Sequence, residues 1–115
     1  MGIELDWCAP EACSLNPIEQ PARVAEWDAL FAAAVRAVKP VYDGICLELV
    51  PAPGRASVAA DLADREARCC EFFRFDVAIG AETLRLTVRA DPPHTSVVEA
   101  LAARAIALST AAPAE

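Results

Sequence analysis

Five cysteines carry most of the chemistry this sequence can offer: Cys8, Cys13, Cys46 and the adjacent Cys69 and Cys70. A thiolate is both a nucleophile and a ligand for soft metals. The chain opens Met-Gly-Ile-Glu-Leu-Asp, without the basic start and apolar stretch of an export signal, and its cysteine count is odd. That combination predicts a cytoplasmic protein and makes a disulfide framework a poor explanation, so reduced thiols or a metal site are the better one.

The vicinal pair lies in the run Arg65-Glu66-Ala67-Arg68-Cys69-Cys70-Glu71-Phe72-Phe73-Arg74-Phe75. On a helix, Val58, Leu62, Cys69 and Phe73 fall on one stripe, with Cys70 about 100° to the side. This predicts one inward and one flanking thiol at a helix C-terminus. The partial negative charge there opposes thiolate formation, and no Cys-x-x-Cys is present, so a redox centre is disfavoured. Arg65, Arg68 and Arg74 are the nearby cations in sequence. A soft cation supplies the missing drive by displacing the thiol proton itself. Zinc wants four ligands, usually from paired cysteine knuckles, and the chain has none of these and a single histidine, His94. Mercury(II) and trivalent arsenic accept two or three thiolates, so a third thiol from the N-terminal arm would complete a trigonal set. Glu66 falls between the two thiols on the side that ought to be apolar. It reads as a hydrogen-bond acceptor beside the ligands, as a proton donor, or as the partner of Arg65, Arg68 or a strand arginine. As a donor it would follow the logic of organomercurial lyases, two cysteines and one acid. In a plainer reading the cysteines are small buried hydrophobes of an interaction module. His94 before the last helix is a candidate base for a cysteine nucleophile, or simply a solvated loop residue.

The runs Cys13-Ser14-Leu15-Asn16-Pro17-Ile18-Glu19-Gln20-Pro21-Ala22-Arg23, Glu26-Trp27-Asp28-Ala29-Leu30-Phe31 and Arg65-Glu66-x-x-Cys69-Cys70-x-Phe72-Phe73-x-Phe75 carry a resemblance. The chain resembles, over roughly residues 13 to 108, small bacterial proteins similar to segments attached to heavy-metal-responsive regulators of the mercury-regulator family. The resemblance implies soft-metal handling with Cys13, Cys69 and Cys70 as the thiol positions. Cys8 and Cys46 fall outside its pattern and read as incidental, Cys8 with a claim to be an auxiliary ligand.

Elements must position these groups. Val24, Trp27, Leu30, Phe31, Ala34, Val35 and Val38 recur at spacings of three and four, which predicts a helix from Pro21 to Val38 with Asn16 and Glu19 at capping-box spacing and Pro40 as its stop. Ile45, Leu47 and Leu49 alternate with Cys46, Glu48 and Val50 as a strand, with Cys46 on the face away from the core. After Pro51-Ala52-Pro53-Gly54, Ser57 is placed to cap a second helix running to about Cys70. Phe73 to Ile79 and Leu84 to Val88 read as strands joined by Gly80-Ala81-Glu82. Ser96 and Glu99 mark the start of a third helix ending near Ser109. The expected fold is a small single α+β domain in the order helix, strand, helix, strand, strand, helix, with a three-stranded sheet and helices mainly on one face. Residues 1–16 form an irregular arm, 17–109 the domain and 110–115 a disordered tail.

The 115 residues fit one domain, and at 56% hydrophobic and 23% charged they suffice for a core. A formal charge of −7 gives a phosphate backbone little to hold, so nucleic acid is excluded as a partner. No apolar run approaches a membrane span, and no glycine-rich phosphate loop appears, which excludes nucleotide cofactors. Open as partners are the metal ion, a second copy of the chain and a protein that receives the metal. Alanine abundance and nine Arg against one Lys suggest a bacterial, GC-rich genome.

Overall fold

A computed structural model describes residues 20–92 and 94–109. The elements run α1 (Gln20–Ala34), β1 (Val35–Val41), β2 (Gly44–Leu49), α2 (Arg55–Cys69), β3 (Phe73–Ile79), β4 (Leu84–Ala90) and α3 (Thr95–Leu108). The domain is α+β, but the order is helix, strand, strand, helix, strand, strand, helix. Its sheet has four antiparallel strands in the order β1-β2-β4-β3, not three. The arm of residues 1–16, the tail of 110–115 and the Asn16/Glu19 cap lie outside the described residues.

The extra strand is β1. The spacing predicts that Val35 and Val38 continue the helix, yet α1 stops at Ala34 and both valines belong to a strand. Residues three apart normally face opposite sides of a strand. Here the register against β2 shifts between Val35, opposite Leu49, and Ala37, opposite Glu48. This bulge inserts one residue and lets Val35 and Val38 both turn to the core. Pro40 sits in an edge strand, where a missing amide proton costs no interior ladder bond. β1 turns into β2 through Tyr42 and Asp43, whose φ of 54° is left-handed, a conformation aspartate tolerates better than most residues. Gly44 opens β2 hard against β4, since a Cβ there would lie 2.0 Å from the Val88 carbonyl oxygen.

On one face of the sheet Ile45, Leu47 and Leu49 of β2 sit opposite Val88, Leu86 and Leu84 of β4, all buried beneath the helices. On the other face Cys46 pairs with Thr87 and Glu48 with Arg85, among ion pairs such as Arg74 with Asp43 and Asp91 and Arg89 with Asp76. The expected cap residues are not the ones used. α2 begins after Gly54, which takes the left-handed conformation, and α3 after His94. Neither cap makes a side-chain hydrogen bond, so Ser57 and Ser96 stand inside their helices. Charge-assisted contacts tie α1 to its neighbours, among them Glu26 with Arg65 and Asp28 with Arg104. Arg65 of α2 reaches both oxygens of Glu26 at 2.9 and 2.6 Å, and Arg104 of α3 grips Asp28 at 2.6 and 2.7 Å. The Arg65 guanidinium holds the Glu26 carboxyl below its usual range.

Candidate metal centre

α2 turns Ala59, Leu62, Ala63, Glu66 and Cys69 inward, whereas Val58, expected on the buried stripe, is half exposed. The buried face is thus rotated so that Glu66 lies near its middle. Among the described residues it is the only buried charged side chain, at 1% exposure. Burying an ion without partners is costly, and its partners come from α1. The indole Nε1 of Trp27 donates to Glu66 Oε1 at 3.0 Å and Arg23 Nη1 donates to the same oxygen at 3.1 Å. Arg23 and Trp27 are four apart, so one face of α1 delivers both donors to one atom.

The other carboxylate oxygen faces the thiols. Cys70 Sγ donates to Glu66 Oε2 at 3.4 Å, Cys69 Sγ lies 4.0 Å from it, and the two sulfurs are 3.5 Å apart. That spacing exceeds the roughly 2.05 Å of a mutual disulfide bond. The pair straddles the helix end. Cys69 is the last helical residue, and Cys70 is already extended at φ −127°, ψ 92°. This change of backbone swings Cys70 inward, so both thiols are buried, at 7% and 0% exposure, rather than one inward and one flanking. Burial pushes the Cys70 thiol well above its ordinary range, and the charge of Glu66 and the adjoining Cys69 push it the same way.

The three arginines expected around the thiols are engaged elsewhere: Arg65 with Glu26 and Asp61, Arg68 with Asp64, Arg74 with Asp43 and Asp91. The cation that arrives is Arg23, whose Nη1 also lies 3.6 Å from Cys69 Sγ. The Phe72-Phe73-Phe75 run that follows the thiols packs as an aromatic cluster. Phe73 packs on Phe72 and Phe75, and Phe75 stacks on Trp27 at 6.1 Å. His94 stacks on Phe72 with ring centres 4.3 Å apart. Cys46 lies on the polar face of the sheet, apart from the cluster, and Cys8 and Cys13 lie outside the described residues.

Glu66, Cys69 and Cys70 thus offer one oxygen and two sulfurs within 4.8 Å of one another. Sequence reasoning placed this trio together but gave Arg23 no role and Trp27 only a packing role. The available signal was their spacing of four on a helix that had to cover a buried acid. No family model, curated protein or solved structure matches the chain. No helix among the described residues is long and apolar enough to cross a membrane.

Proposed function

We propose that this protein binds a soft metal or metalloid ion, mercury(II) or trivalent arsenic, through Cys69 and Cys70, with Cys13 as the third thiolate. It acts in the cytoplasm, where thiols stay reduced, as a buffer or carrier in heavy-metal resistance and passes its cargo to a partner protein. The observation that carries this reading is the buried pair of sulfurs 3.5 Å apart beside a carboxylate that accepts from one of them. Two vicinal sulfurs bind one ion as a chelate, and the second bond forms without the translational cost of bringing in another ligand. An inert hydrophobic role for the cysteines does not call for a buried carboxylate pinned by an arginine and an indole, because such a cluster is costly to bury for packing alone.

Glu66 is fixed in place by groups outside the thiol pair, an arrangement that orients ligands in metal sites. The test is an anaerobic titration of the reduced chain with mercury(II), arsenite, zinc and copper(I), followed by thiolate-to-metal absorption in the ultraviolet. One equivalent of mercury(II) or arsenite should saturate the signal in the presence of excess monothiol. Binding no tighter than that of the monothiol competitor would dismiss the reading.

A further inference from the structure

The dimensions of the cluster narrow the cargo, and the narrowing rests on the soft-ion reading above. We infer that the site takes trivalent arsenic as neutral arsenous acid, with Glu66 Oε2 carrying each thiol proton to the departing hydroxide. The first ground is the sulfur spacing. Taking a bond to sulfur of about the 2.3 Å that zinc makes, a pyramidal centre with angles of about 100° needs its sulfurs about 3.5 Å apart, whereas a linear centre needs about 4.6 Å. The sulfurs of Cys69 and Cys70 already stand 3.5 Å apart. Linear mercury(II) has to spread two buried sulfurs, and close-packed interiors resist such displacement.

The second ground is the division of labour on Glu66. Oε1 is occupied by Arg23 and Trp27, which leaves Oε2 directed at the thiols, 3.4 Å from Cys70 Sγ and 4.0 Å from Cys69 Sγ. Cys70 already donates to it. The Cys70 sulfur forms the bond to arsenic as its proton passes to Oε2. One arsenic–oxygen bond breaks, and the departing hydroxide takes that proton and leaves as water. Cys69 repeats the exchange, and arsenic stays trivalent throughout. The remaining position keeps its hydroxide. Each step replaces a neutral group by a neutral group, so the largely buried Glu66–Arg23 pair keeps its charge balance.

The experiment uses the full reduced chain and sodium arsenite. Arsenic-edge X-ray absorption on the loaded protein should find at least two sulfurs on arsenic, and stopped-flow absorption should give the capture rate. Glu66→Gln should slow capture about 100-fold, the scale of a lost acid–base group, while Glu66→Asp should recover part of the rate. Capture by Glu66→Gln within threefold of wild type overturns the relay. Tight binding of mercury(II) with no binding of arsenite overturns this inference and leaves the soft-ion reading standing; binding of neither removes both. If Glu66→Gln does not fold, the wild-type absorption spectrum decides, and fewer than two sulfurs on arsenic refutes the proposal.

Discussion

Replacing Arg23 by methionine keeps most of the apolar stem of the side chain and removes the cation that faces Glu66. The carboxylate is 1% exposed and the Arg23 side chain 12%, so water does not substitute for the lost partner. Breaking a buried pair by deleting one member costs about 3 to 5 kcal/mol. Here the Trp27 indole still donates to Oε1 and the Cys70 thiol to Oε2, which places the loss near the lower end, about 3 kcal/mol. In a domain of this size that lowers the thermal midpoint by roughly 12 to 24 °C. The assay is urea unfolding at pH 7 followed by circular dichroism, on wild type, Arg23→Met, Glu66→Met and the double variant. Because the single change strands a buried charge and the double change removes it, the double variant should be more stable than Arg23→Met, with a coupling of about 2 kcal/mol. A loss below about 1 kcal/mol for Arg23→Met, or strict additivity in the cycle, would refute the claim that this pair holds α1 against the thiol site.

Alkaline pH should weaken the fold through Cys70. Its thiol is raised in the folded chain above its ordinary 9.0, so the unfolded chain gives up the proton first. This contribution is complete below about pH 9 and is lost as pH rises beyond it, so urea midpoints at pH 8 to 10.5 should fall more steeply in wild type than in Cys70→Ala. Gly44→Ala places a Cβ 2.0 Å from the Val88 carbonyl oxygen and should cost about 1 to 3 kcal/mol by forcing β2 from β4, read by the same unfolding assay. Equal stability of Gly44→Ala and wild type would mean the two central strands can part there. Cys46→Ser, on the polar sheet face, should leave soft-ion affinity within twofold, whereas Cys69→Ser and Cys70→Ser should each lower it by tenfold or more in the monothiol competition.

The alternating runs of β2, β3 and β4 were legible because one face of the sheet is covered and the other wet, which writes a period of two into Ile45 to Leu49 and Leu84 to Val88. β1 was not legible. Its bulge puts Val35 and Val38 at helical spacing, and Pro40, read as a helix stop, sits in an edge strand. The trio of Glu66, Cys69 and Cys70 could be read from spacing on α2, since a carboxylate three and four residues before two thiols lies on their side of the helix. What the spacing did not contain was the break at Cys70 that brings its sulfur inward. Nor did it contain the long-range choice of Arg23 over the nearer Arg65 and Arg68. That choice depends on how α1 lies across α2, a tertiary arrangement to which the contact of Glu26 with Arg65 also belongs.

The most direct test of the soft-ion site is native mass spectrometry of the reduced chain with one equivalent of arsenite and a large excess of monothiol, beside a Cys69→Ser/Cys70→Ser double variant. The wild-type chain should carry one arsenic atom, with the mass of two or three thiol hydrogens lost, and the double variant should carry none. Equal loading of the two proteins, or an unloaded wild type with mercury(II) and arsenite alike, would contradict a metal centre at Cys69 and Cys70.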